Sequence, residues 1–180
     1  MADLKNCSIA WNPPAQEWIK LNVDGSRNPV LGTIAAGGVI RDHRKKWLSG
    51  FALNKGTDSV NEAEVWGIFE GLKLVWKEGH KKVVVESDSQ NVVLLLTKTS
   101  SINHPLLSII QACKDMIACD WSCHILHAYR ETNRVDDGLA CLGHSLDLGI
   151  TIFKGPPSQI IGVLEDDFKG TSFARRVPIL

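Results

Sequence analysis

The run Val83-Val84-Val85, set between Lys81-Lys82 and Glu86-Ser-Asp88, restricts the fold more than any other segment of the chain. Three β-branched residues in a row favour an extended backbone. A strand that is apolar on consecutive positions shows apolar groups to both faces of its sheet, so both faces need cover. The rest of the chain has to supply neighbouring strands and two layers of helix.

It does so by changes of period. From Glu17 to Asp24, Leu21 and Val23 alternate with polar neighbours, which reads as a strand ending at Asp24-Gly25-Ser26. Two glycines, a proline and an asparagine make residues 25–33 a turn. Strands follow from about Ile34 to Arg41 and from about Trp47 to Leu53, joined by the polar run Asp42-His-Arg-Lys-Lys46. Short connections make these three an antiparallel meander. The period then shifts: Val60, Ala63, Glu64, Gly67, Ile68, Gly71, Leu72 and Val75 recur at helical spacing. That helix closes at Gly79 and has Asp58 or Ser59 as its N-cap. Lys81–Asp88 is the buried strand, Ser89–Leu96 a short helix, and Pro105 opens another helix to about Ala118. Trp121–Tyr129 is a fifth strand, and Asn133–Leu146 a helix.

The expected fold is therefore α/β: a mixed five-stranded sheet, three antiparallel strands then two parallel, with helices on both faces. Residues 1–16, with Trp11-Asn-Pro-Pro14, read as an extended lead-in, residues 17–148 as the domain, and residues 149–180 as a loosely packed tail. Trp66 and Trp76 fall at core-facing helix positions, whereas Trp11, Trp18 and Trp47 fall in places open to solvent.

Bulk properties exclude some classes. A formal net charge of zero argues against a basic nucleic-acid coat protein, though not against a basic groove balanced by an acidic site. No run approaches the roughly 18 apolar residues that span a bilayer, and no secretory signal is visible, so no membrane partner is expected and the cytoplasm or nucleus is favoured. The five cysteines read as free thiols. Cys119 and Cys123 near His124 and His127 lack the paired spacing of a zinc site.

Four acids stand at the ends of elements: Asp24, Glu64, Asp88 and Asp137. Each has an ordinary alternative. Asp24 suits a turn, Glu64 a solvated helix face, Asp88 a helix cap, and Asp137 a favourable charge at a helix start. Together, in a sheet that gathers element ends at one place, they could form a site.

Asp24-Gly-Ser, Asn61-Glu-Ala-Glu64, Glu86-Ser-Asp-Ser-Gln90 and His127-Ala-Tyr-Arg-Glu-Thr-Asn-Arg-Val-Asp-Asp137 resemble the ribonuclease H family in order and spacing. The resemblance covers about Trp18 to Leu146 and looks closest to the plant reverse-transcriptase-like branch, derived from retrotransposons. It implies a nuclease that cuts the RNA strand of an RNA–DNA hybrid with two magnesium ions, or manganese, held by Asp24, Glu64, Asp88 and Asp137. In the final motif the spacing from Asn133 selects Asp137, and Asp136 stands where that branch has a small residue. The resemblance also makes His127 the family's mobile histidine and places hybrid contacts at Gly25, Asn61 and Gln90.

Chemistry accords with this: magnesium prefers carboxylate oxygens, and two ions can activate water and stabilise the leaving oxygen. Arg41, Arg44, Lys45, Lys46, Lys73, Lys77, Lys81 and Lys82 form either a phosphate track or a solvated face. The basic protrusion of tight hybrid binders is absent between the helices at about 97–104. The chain is expected to act as a monomer. Two other readings stay open: an idle binding or interaction domain on the same fold, and an integrase-like DNA cutter, against which Glu64 and the Asn133–Asp137 motif argue.

Overall fold

A computed structural model describes residues 4–57, 60–98 and 105–178. The expected N-caps Asp58 and Ser59, and most of the linker after Thr97, lie outside them. The elements in chain order are β1 (Leu4–Ile9), β2 (Ile19–Asn28), β3 (Thr33–Asp42), β4 (Trp47–Thr57), α1 (Val60–Lys77), β5 (Lys82–Ser87), α2 (Gln90–Thr97), α3 (Leu107–Ile117), β6 (Ser122–His127), α4 (Arg134–Gly143), β7 (Gly149–Phe153), α5 (Ile161–Lys169) and β8 (Phe173–Pro178).

The main sheet has the order β6-β5-β2-β3-β4-β7. β2, β3 and β4 pair antiparallel, and β5 lies parallel to both β2 and β6. The five expected strands are all present. β7 adds a sixth by pairing antiparallel with the outer edge of β4. Val83 and Val85 of β5 are fully buried, and Val84 on the opposite face is partly covered.

The two faces of the sheet are covered differently. One face packs Leu21, Val23 and Ala36 against Ile68 and Leu72 of α1, with α2 and α3 completing this larger core. The other face carries Lys20, Asn22 and Asp24 of β2 and Val39 and Arg41 of β3, all buried. Alternation along β2 was thus a sound mark of a strand, but its polar side is not solvated. It lies under α4, under Trp11 of the lead-in and under the C-terminal segment. Val39, Val135, Leu139 and Ile160 form a second, smaller core there.

The C-terminal segment is consequently no loose appendage. Ile160 and Asp167 are buried, and β8 pairs antiparallel with β1 from Leu4↔Pro178 to Ile9↔Phe173. Lys45 Nζ donates to the carbonyl of Phe168 at 3.0 Å. Lys45 itself takes a left-handed φ of 65° in the β3–β4 turn, where a glycine would fit without strain. Asp42 holds that turn by accepting from the backbone N–H groups of Arg44 and Lys46. Two tryptophans depart from expectation: Trp11 is buried, and Trp76 is 38% exposed, edge-on to Trp121.

α4 lies close on β3 because Gly37 has no side chain. A Cβ there would run into the backbone of Ala140, Asp136 and Leu139. Gly37→Ala is therefore expected to destabilise the fold by about 1–3 kcal/mol or more. Gly162→Ala on α5, where an added Cβ meets nothing within 4 Å, is expected to gain up to about 1 kcal/mol. Thermal melts of the two variants, at roughly 2–4 °C per kcal/mol, check both directions.

Candidate active site

Parallel pairing of β2 with β5, in the register Ile19↔Val83 to Val23↔Ser87, ends both strands at one place. Asp24 follows Val23 and Asp88 follows Ser87, so the two acids emerge side by side. α1 crosses behind them and brings in Glu64. Oxygens of Asp24, Glu64 and Asp88 lie within 4.8 Å of one another, the one such acid, histidine or cysteine group among the described residues. Asp24 and Glu64 are about 5% and 4% exposed, and Asp88 is half-buried.

Glu64 is the most firmly held of the three. Gly25 donates its backbone N–H to Oε1 at 2.9 Å, and Ser87 donates its hydroxyl to Oε2 at 3.0 Å. Gly25 has to be glycine for this approach: a Cβ would stand 2.8 Å from the Glu64 backbone nitrogen. The amide of Gly25 is thus committed to Glu64. Ser87 escaped the sequence reading, although it continues the inward positions of Val83 and Val85 and so announces a buried hydroxyl.

Burial and mutual repulsion act on these acids together. Burial pushes the Asp24 carboxyl far above the usual range, and the charges of Asp136, Glu64 and Asp88 push it further. Glu64 is also raised by burial, against the lowering effect of hydrogen bonds from Gly25, Asp24 and Ser87. The side-chain hydrogen bond between Asp24 and Glu64 raises the first and lowers the second.

Asp137 is half-buried on the first turn of α4, with its backbone N–H 3.2 Å from the Asn133 carbonyl. It lies outside the close triplet, so three of the four expected acids come together at that distance. The preceding residue, Asp136, is fully buried, and neither of its carboxylate oxygens has a hydrogen-bond partner. Burial holds its carboxyl well above the ordinary range, and Asp88 and Glu64 add to the effect.

His127 is exposed at the end of β6, its Nε2 3.2 Å from the backbone carbonyl of Asp88 and its ring edge-on to Tyr129. Gln90 is exposed at the start of α2. Asn61 is in the first turn of α1, and its side chain lies outside the described residues.

Of the expected phosphate track, Arg41 is 1% exposed and paired with Asp167 at 2.6 Å, so it cannot meet a backbone phosphate. Lys73 and Lys82 are paired with Glu70 and Glu17. All five cysteines are free thiols.

A protein-family model described as reverse transcriptase-like matches residues 22–143. "Putative ribonuclease H protein" of Arabidopsis thaliana is 38% identical over 169 residues, which are 94% of this chain and 27% of that protein. The chain thus spans about a quarter of the length of that relative. Among solved structures, RNase H1 from the halophilic archaeon Halobacterium salinarum superposes with a TM-score of 0.66 at 22% identity, covering 71% of this chain and 98% of that one. LC11-RNase H1, solved in complex with RNA/DNA hybrid, gives 0.63 at 22% identity, covering 71% and 96%. At such identities these two speak for the fold. With the matched segment running from the strand that bears Asp24 through the helix that bears Asp137, the chain belongs to the reverse transcriptase-like branch of the ribonuclease H family.

Proposed function

We propose that this chain is a metal-dependent endonuclease that hydrolyses the RNA strand of RNA–DNA hybrids. The observation that carries the reading is the convergence of Asp24, Glu64 and Asp88, which come from three separate elements, within 4.8 Å. Carboxylates so placed repel one another and lose hydration, an arrangement that a bound cation offsets. The donors are all oxygen, which suits magnesium or manganese. The buried Asp136, whose two carboxyl oxygens have no hydrogen-bond partner, is a further oxygen-bearing group close to them. The residues therefore fit the metal that the family implies.

In this reading Asp24, Glu64 and Asp88 hold the metal, with Asp137 as the fourth acid on the first turn of α4. Two magnesium ions would supply an activated water, charge relief at phosphorus and a stabilised leaving oxygen. The chain's own groups prepare the place. Gly25 and Ser87 fix the Glu64 carboxylate so that its oxygens need no reorientation. His127, next to the acids and open to solvent, is suited to carry a proton toward or away from the cleaved strand. Gln90, exposed where β5 passes into α2, and Asn61 on α1 are assigned to the hybrid. Amide side chains can bond the 2′-hydroxyl that tells RNA from DNA. The relative solved with RNA/DNA hybrid supports this substrate class.

Cleavage of a labelled hybrid in the presence of magnesium is expected, and Asp88→Asn is expected to reduce it to background. Gel analysis of hybrid, duplex RNA and duplex DNA in parallel checks the preference for hybrid. An uncut hybrid under broad magnesium and manganese conditions favours the idle binding domain, and strong cutting of duplex DNA overturns the substrate.

A second outcome concerns stability. The Asp24 and Glu64 carboxyls are raised in the fold and titrate near 4 when unfolded. Their contribution is fully present below the unfolded value and is lost as pH rises toward the folded value, because the unfolded chain ionises first. The metal-free protein should lose stability from acid toward neutral pH, and magnesium should restore it. The gain in melting temperature on adding magnesium is expected to be larger at about pH 8 than at about pH 5. In Asp24→Asn the metal-free melting temperature should rise and that gain should shrink. Equal gains at both pH values would contradict the shared cation cradle.

A further inference from the structure

On the covered polar face of the sheet, a buried chain of polar contacts runs from α5 to the turn that bears Asp137. Asp167 on α5 and Arg41 on β3 pair at 2.6 Å, both almost wholly buried. Arg41 donates through its second terminal nitrogen to Asn22 Oδ1 at 3.1 Å, an oxygen that also accepts from Trp11 Nε1 at 2.9 Å. The Trp11 ring lies 3.7 Å from the guanidinium carbon and seals it. Asn22 Nδ2 in turn donates to Glu86 at 2.9 Å and to Asn133 Oδ1 at 3.2 Å. Asn133 Nδ2 donates to the carbonyl of Val23, the residue before Asp24, at 2.9 Å. Its backbone carbonyl accepts from Asp137.

Two further contacts grip the same turn from the C-terminal side. Arg134 pairs with Asp166 at 3.1 Å, and Ile160 packs where a Cβ on Gly138 would lie 2.8 Å away. Arg134 and Gly138 bracket Asp137 in sequence. Burial lowers Arg41 and raises Asp167, each opposed by the other's charge, and a guanidinium keeps its proton in a protein.

We propose that the C-terminal segment is part of the catalytic apparatus: Asp167, Arg41, Asn22 and Asp166 are positioning residues that hold the Asn133–Asp137 turn against the Asp24 strand. The proposal rests on the nuclease reading above and extends it to residues that touch neither substrate nor metal. The physical reason is leverage. Asp137 sits on a first helical turn and its N–H bonds only the Asn133 carbonyl, so the placement of Asn133 sets the placement of Asp137. A buried ion pair with fixed geometry holds that placement, and partners in this outer position commonly matter severalfold to metal sites.

The test uses the full chain with Asp167→Asn and Asp166→Ala, and Asp166→Glu as the conservative rescue. The control is Glu165→Ala, whose side chain faces Lys169 on the exposed side of α5. The readouts are kcat and KM on hybrid, and manganese affinity by electron paramagnetic resonance, all under conditions where circular dichroism reports a folded chain. Asp167→Asn is expected to lower kcat and manganese affinity by about tenfold with KM little changed. Asp166→Ala should lower both by about threefold, as an exposed pair of this kind allows. Asp166→Glu and Glu165→Ala should match the parent. Should Asp167→Asn fail to fold, the half-exposed Asp166 variants decide. Parent-like kcat and manganese affinity in the folded variants overturn the proposal while leaving the nuclease reading intact. A parent that binds manganese but leaves hybrid uncut overturns the nuclease reading, and the affinity readout still decides the positioning role. A parent that binds no manganese overturns both.

Discussion

Everything at the site follows from one pairing. β5 enters the sheet parallel to β2, and only a parallel neighbour finishes at the same end. The valine-rich strand tolerates this central place because α1, α2 and α3 cover it on one side. The cost is a concentration of negative charge where the two strands stop, with Asp24 and Glu64 buried and Asp88 beside them. The fold offsets it locally by the hydrogen bonds that Gly25 and Ser87 donate to Glu64. Such an arrangement gains the fold little by itself, because carboxyl groups held together repel one another and lose hydration.

The opposite face shows how a charge can be carried inward. Arg41 is closed in by Asp167, Asn22 and Trp11, which come from the C-terminal segment, the central strand and the lead-in. Removing one partner from such a group strands the other's charge, which costs far more than the pair itself contributes. Segments at both ends of the chain are thereby tied to the middle of the sheet, although neither carries a metal-site acid.

Much of this was legible in the chain. Period changes located β2 to β6 and α1 to α4, because apolar spacing reports which side of an element is buried. The acids at strand ends were legible because Asp24 and Asp88 stand where the strand patterns of Leu21-Val23 and Val83-Val85 stop. What covers a polar face was not legible. Lys20, Asn22 and Asp24 alternate with Leu21 and Val23 as they would on a half-solvated strand, and only the three-dimensional placement of Trp11, α4 and α5 buries them. β7, α5 and β8 escaped because glycine and paired prolines at Gly149, Pro156 and Pro157 resemble the punctuation of a tail. The burial of Asp136 was not legible either, since it and Asp137 are neighbours on one helical turn and only Asp136 is enclosed.

Pairing of β1 with β8 has an architectural consequence. Leu4 lies across from Pro178, so residues 4 and 178 stand side by side. A domain with adjoining ends can be spliced into a loop of a host protein without prising the host apart, or have its ends joined and be reopened elsewhere.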